Sequence, residues 1–111
     1  MSNERLVYLD NNATTRVAPE VVEAMLPCLT EHWGNPSSAY DLANAPARMI
    51  AEAREQVAKL IGANPRNIVF TSCGTESNNA AIQGALHCNP TKRHVITSVV
   101  EHTANIKFCG Q

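Results

Sequence analysis

Two apolar, β-branched runs separated by a helical one occupy the second half of the chain, and they limit the folds open to it. Asn67-Ile68-Val69-Phe70-Thr71 follows the turn residues Asn64-Pro65-Arg66 and reads as a strand. Residues 75–87 carry Ala80, Ala81, Ile82, Ala85 and Leu86 as a compact helical face, closed by Asn89-Pro90. His94-Val95-Ile96-Thr97-Ser98-Val99-Val100 reads as the next strand. A crossover helix between two strands favours parallel pairing in a right-handed unit. Parallel sheets have both faces covered, and two strands do not make such a sheet alone. The pattern predicts an α/β fold whose parallel βαβ unit needs partners around it.

Upstream the pattern is helical. Leu6-Val7-Tyr8-Leu9 is a short apolar run that stops at the turn residues Asp10-Asn11-Asn12. Pro19 suits a first helical position, and Val22, Met25, Leu26 and Leu29 follow at i, i+3, i+4 and i+7. Pro27 is expected to kink or interrupt that helix, because it removes an intrahelical bond. Trp33-Gly34-Asn35-Pro36-Ser37-Ser38 reads as a loop. A second helix is predicted over about 44–61, with Ile50, Ala53, Val57, Leu60 and Ile61 as its apolar stripe. Glu55 and Lys59 stand in the favourable i, i+4 order, and Gly62 is a natural stop.

Composition narrows the function classes. The 111 residues are 44% hydrophobic and 17% charged, which suits one modest core and argues against disorder. Nine basic against 10 acidic residues leave no electrostatic footprint for nucleic acid. No apolar run approaches the roughly 20 residues of a membrane span. Met1-Ser2-Asn3-Glu4-Arg5 does not begin a secretory signal, so a cytoplasmic location is expected. Cys28, Cys73, Cys88 and Cys109 form no CxxC pair, and no histidine sits at ligand spacing from a cysteine pair. Neither disulfides nor a metal site are expected.

The chemical signal lies at a strand–helix junction, Ser72-Cys73-Gly74-Thr75-Glu76-Ser77. Free backbone N–H groups and the positive end of the helix dipole make such a turn an anion site. Gly74 permits close backbone approach, and the Thr75 hydroxyl offers a direct bond to phosphate. Taken alone the turn favours plain capping by Ser72 or Thr75, since one glycine is a weak phosphate signal. Neither GxxxxGK[ST] nor GxGxxG occurs, which sets aside the usual triphosphate and dinucleotide sites. A single-phosphate organic cofactor remains. His102 follows the second strand at the carboxyl end, where open α/β sheets place ligands, and would share an edge with the Gly74-Thr75 turn. There an imidazole stacks on a planar ring or shuttles protons, although a lone histidine at a strand end is more often a surface or capping residue.

Four collinear motifs now resemble one family. They are Tyr8-Leu9-Asp10-Asn11-Asn12-Ala13-Thr14-Thr15, Trp33-Gly34-Asn35-Pro36-Ser37-Ser38, Ile68-Val69-Phe70-Thr71-Ser72-Cys73-Gly74-Thr75-Glu76-Ser77-Asn78 and Ile96-Thr97-Ser98-Val99-Val100-Glu101-His102. Together they resemble the cysteine desulfurases, class V, fold-type I enzymes dependent on pyridoxal 5′-phosphate (PLP). The nitrogen-fixation (NifS) branch is the better match, with the housekeeping (IscS) branch close behind. The resemblance implies that Gly74 and Thr75 bind the PLP phosphate and that His102 stacks on the pyridine ring and assists proton transfer. It implies, more weakly, that Asn11, Ala13 and Thr14 lie near the substrate entrance and that Gly34-Asn35-Pro36 shapes the active site and a subunit contact. In such enzymes PLP acts as electron sink on L-cysteine. An enzyme cysteine takes the sulfur as a persulfide for an iron–sulfur scaffold protein, alanine is released, and the enzyme is a homodimer.

Thr103 departs from the proline or lysine of many relatives. The larger departure is that the family's Schiff-base lysine, its pyridine-pairing aspartate and its persulfide cysteine all lie beyond the matched region. Lys59, Lys92, Lys107 and the four cysteines match none of those positions, so no catalytic residue is expected within the chain. The resemblance implies the first quarter of a desulfurase, with 1–62 as an N-terminal segment of two helices and 63–111 as the start of the PLP-binding large domain. The matched region would stop inside a helix over 103–111. On this reading residues 1–111 are inactive alone. A selenocysteine lyase-like class V enzyme and a non-catalytic phosphate- or partner-binding module remain as alternatives.

Overall fold

The computed structural model describes residues 6–92 and 94–110, so the opening five residues and the expected helix end at Gln111 lie outside the described residues. The chain divides into two compact units, Met1–Pro65 and Arg66–Gln111. The first carries α1 (Pro19–Thr30) and α2 (Asn44–Ile61); the second carries α3 (Gly74–Cys88) and α4 (Thr103–Cys109). Short 3₁₀ turns lie at Asp41–Ala43 and Pro65–Asn67.

In the first unit the Asp10 carbonyl accepts from Ala13 N at 3.1 Å and from the Tyr8 hydroxyl at 2.8 Å, which closes the expected turn after the apolar run. Pro19 opens α1 as predicted. Pro27 does not interrupt it: the helix runs on to Thr30. A proline forfeits only its own N–H bond, and the turn beyond stays closed by the Thr30 hydroxyl on the Leu26 carbonyl (3.0 Å) and by Glu31 N on the Pro27 carbonyl (2.9 Å). The loop that follows turns on Asn35, whose Oδ1 accepts from Ser37 N at 2.9 Å while its carbonyl accepts from Ser38 N at 3.1 Å.

Helix α2 has the predicted bounds, and Gly62 ends it in the left-handed region at φ 66°. Ala63 N reaches back to the Ala58 carbonyl at 2.8 Å, the bond that such a stop permits. The helix carries the pair Arg48–Glu52 at 3.6 Å in place of Glu55–Lys59. Both partners are well exposed, so the exchange matters little to stability. What is buried in this unit is small: Gly34, Ala43, Pro46 and Ala58. Gly34 lies so close to the 3₁₀ turn that a Cβ there would collide with the Leu42 carbonyl oxygen. The α1 stripe of Val22, Met25, Leu26 and Leu29 stays exposed, and Leu60 of the α2 stripe is 85% exposed.

In the second unit α3 and α4 pack on each other. The predicted strands at 67–71 and 94–100 are not formed: no strand ladder occurs among the described residues, which fold as helices, turns and connecting segments. The physical reason is the one that makes a lone βαβ unit insufficient. A parallel strand is stable when its ladder continues and both of its faces are covered. Here Val69 is 78% and Ile96 91% exposed, so burial contributes little toward ordering those backbones. The second run also ends early, because Val99 and Val100 belong to a turn leading into His102. No helix among the described residues is long and apolar enough to cross a membrane.

The two glycines of the first unit should respond differently to alanine. Gly34→Ala forces overpacking and should cost about 1–3 kcal/mol. Gly62→Ala meets nothing within 4 Å and should cost only the left-handed backbone penalty, about 1–2 kcal/mol. Thermal unfolding of the variants checks both, and Gly62→Asn should recover part of the second loss, because asparagine tolerates that conformation.

Candidate cofactor-phosphate site

Helix α3 starts one residue before the predicted position, with Cys73 as its flanking residue in an extended conformation. Gly74, Thr75 and Glu76 make its first turn, so their amides have no carbonyl one turn back to bond. A carboxylate at the third helical position usually folds onto the helix start and competes for that field. Glu76 folds back past the helix start to Ser72, where its Oε2 accepts from the Ser72 amide at 2.7 Å and the Ser72 hydroxyl at 2.6 Å. That pair of bonds, the hydroxyl first and the amide second, holds the Glu76 carboxyl below its ordinary value.

The expectation that Ser72 or Thr75 caps α3 is therefore replaced by a different arrangement. Ser72 spends its hydroxyl on Glu76, and no side chain makes a full capping bond to the first turn. The Cys73 thiol lies near that turn and is held below the ordinary thiol value, chiefly by the Glu76 amide and then by the Ser72 hydroxyl. The amide contribution is the firmer one. A hydroxyl has one proton to donate, and Ser72 Oγ is 2.6 Å from the carboxylate but 3.7 Å from the Cys73 sulfur.

Across from this turn stands His102, which caps α4: its Nδ1 accepts from Ala104 N at 3.2 Å. In the neutral imidazole that bond leaves the proton on Nε2. Cys73, Gly74, Thr75, Asn78 and His102 together line one cleft of about 300 Å³. The structure thus brings Gly74, Thr75 and His102 to a single concavity. Asn11, Ala13 and Thr14 form the exposed turn of the other unit, and Gly34, Asn35 and Pro36 its loop.

Sequence reasoning missed two lining residues. Cys73 matches none of the family's catalytic positions, yet its place before the first turn puts it on the cleft. Asn78 follows Gly74 by four residues and so shares its helix face, a spacing visible in the sequence. Of the lysines, Lys92 lines a separate cleft with Ile82, Leu86 and His94, and none lines this one. No group of three or more metal-ligating side chains gathers among the described residues.

The residues present fit the phosphate and ring of PLP. First-turn amides and the Thr75 hydroxyl are donors suited to a phosphate, Gly74 leaves open space beside its Cα, and the imidazole gives a planar partner on the same cleft. The volume lies at the small end of ligand pockets, and no lining side chain can form a Schiff base.

Known proteins resemble the chain over most of its length. The family model for Aminotransferase class-V matches residues 7–111. A cysteine desulfurase of Trichormus azollae is 56% identical over 106 residues, which cover 96% of this chain and 26% of that protein. Cysteine desulfurase NifS of Azotobacter vinelandii is 53% identical over 104 residues, covering 93% of this chain and 26% of its own length. A solved NifS-like protein superposes with a TM-score of 0.84 at 41% identity, over 94% of this chain and 29% of that one. The chain spans about a quarter of the length of the curated relatives it matches.

The cleft predicts an order of thiol reactivity. Cys28, Cys73 and Cys88 are all exposed, but Cys73 has its thiol value lowered. Iodoacetamide should modify Cys73 at lower pH than the other two, with peptide mass spectrometry as the readout. Glu76 generates the opposite limit. Its folded value is depressed, so its support of the Ser72 turn is present above the ordinary glutamate range and is lost as pH falls through the depressed value. Exchange protection of the Ser72 amide should fade over that acidic window, and Glu76→Gln should flatten the dependence.

Proposed function

The chain belongs to the aminotransferase class-V family, and on that premise we propose that residues 1–111 supply the phosphate-binding wall of a PLP-dependent cysteine desulfurase. In this reading 1–62 are the N-terminal segment and 63–111 begin the PLP-binding large domain. The observation that carries it is the cleft shared by Gly74, Thr75 and His102. The names of the relatives support the activity, and the α/β likeness to a NifS-like protein supports the fold in which the two β-branched runs join a larger sheet.

The Gly74 and Thr75 amides bind the cofactor phosphate, assisted by the Thr75 hydroxyl and the α3 dipole. His102 lies against the pyridine ring and holds its proton at Nε2, because Nδ1 is engaged by Ala104 N. When bound, PLP supplies the electron sink for cleaving the carbon–sulfur bond of L-cysteine. Alanine is one product, and sulfur passes through an enzyme persulfide to an iron–sulfur scaffold protein. The lysine and cysteine for those steps come from beyond the matched region, in a homodimer. Four free cysteines suit a reducing cytoplasm. The 53% identity to a NifS favours a nitrogenase-related pathway.

The test is expression of the complete reading frame with L-cysteine and PLP. Alanine and sulfide should form in step. Thr75→Ala should weaken PLP binding about five-fold, the worth of one hydrogen bond. His102→Ala should slow turnover about 100-fold or more, the scale of a lost proton-transfer group. Absence of alanine formation, or an unchanged PLP affinity in Thr75→Ala, sinks the assignment. Residues 1–111 alone should release no sulfide above the rate of free PLP.

A further inference from the structure

A line of polar side chains joins the two walls of the cleft without belonging to the expected phosphate and ring contacts. Asn78, on α3 one turn beyond Gly74, donates from Nδ2 to Asn105 Oδ1 at 3.0 Å. Asn105, on α4, donates from its own Nδ2 to Glu101 Oε2 at 3.2 Å. Glu101 Oε1 accepts from the Ser98 hydroxyl at 3.2 Å. Asn105 N also bonds the His102 carbonyl at 2.9 Å, which ties the residue to the backbone of the histidine. The polarity of the line follows from its end. An ionised Glu101 only accepts, so Asn105 must turn its amide nitrogen to Glu101 and its oxygen to Asn78.

We propose that Asn105 is a positioning residue: by clamping Asn78 on α3 to Glu101 beside His102, it sets the spacing between the α3 first turn and the His102 ring. The inference rests on the PLP reading above and deepens it, because a cofactor held at its phosphate by Gly74 and Thr75 and at its ring by His102 needs those two walls at one separation. Neither helix achieves this alone. Helix α4 has seven residues and is too short to be stable by itself, so its register against α3 depends on such cross-links. The separation of 27 positions between Asn78 and Asn105 makes theirs a tertiary bond rather than a local one.

The chemistry of the line allows a charge-specific test in the complete, PLP-loaded protein. Asn105→Asp keeps the acceptor for Asn78 but places a carboxylate against Glu101. Like charges repel and the donor is lost, so PLP affinity should fall about ten-fold, and the visible circular dichroism of the bound cofactor should change with it. Glu101→Gln alone should stay within about two-fold of wild type, since its amide oxygen still accepts from Asn105. Combined with Asn105→Asp, Glu101→Gln turns its amide donor to the new carboxylate and should restore both affinity and dichroism to within about three-fold. A lesion arising from the volume or helix propensity of the residue at 105 would gain nothing from the second change. Faster exchange of the Ala104 amide in Asn105→Asp, reversed in the double variant, reads the His102 cap without reference to activity. Wild-type affinity and dichroism in Asn105→Asp overturn the positioning role while PLP binding stands, and so does a double variant as impaired as the single one. If the wild-type protein takes up no PLP, the cofactor reading itself falls and the positioning role falls with it.

Discussion

The bonds from Ser72 to Glu76 organise the second unit. A carboxylate three residues into a helix is drawn to its N-terminal amides, and there it would fill the positive field with the protein's own charge. Ser72 supplies both an amide and a hydroxyl just outside the helix, and these two donors hold the Glu76 carboxylate. The Glu76 and Thr75 amides of the first turn lie toward the Cys73 thiol, which they hold below its ordinary value. The same bonds fix the bend at Ser72 and Cys73 and so determine where α3 begins. Exposure limits what each bond adds to stability, so the arrangement matters more for the direction of charge than for holding the fold together.

The second wall of the cleft depends on a different economy of donors. His102 uses Nδ1 as a helix cap, which ties its tautomer to the start of α4. A short helix would fray without tertiary support. Asn105 and Glu101 provide polar support on one side, and Phe108 and Cys109 are half-buried further along. The plain capping function of His102 and its proposed work on a cofactor ring are thus compatible, because the cap occupies one ring nitrogen and leaves the other nitrogen and the ring face.

The first unit shows how little apolar surface these residues bury among themselves. Among its described residues the buried positions are a glycine, two alanines and a proline, chosen by close backbone approach and not by large side-chain volume. Gly34 is set by the Leu42 carbonyl and Gly62 by a positive φ, two separate reasons for the same residue type. The long apolar stripes of α1 and α2 are formed as helix faces yet remain uncovered. They carry the amphipathic signature of elements made to pack against something larger.

Local physics was legible in the sequence. Pro19 and Gly62 marked helix ends because each fixes or permits a backbone conformation by itself, and the 3.6-residue period placed α2 within its bounds. The turn after Thr71 was legible as a helix start for the same reason: helix starts expose amides whatever surrounds them. Nonlocal outcomes were not legible. The β-branched runs at 67–71 and 94–100 have strand propensity, but a ladder is a property of neighbours, and among the described residues it does not form. Pro27 was tolerated because the next turn remained bonded, which propensity alone does not register. The sequence by itself determined the helices, their ends and the residue types of the proposed phosphate-and-ring site. Only the tertiary structure decided that Asn78 meets Asn105, 27 positions further on, and that His102 shares a cleft with Gly74 and Thr75. Hydrogen-bond partners are chosen by distance in space, and one-dimensional spacing encodes that distance only within a turn or two of helix.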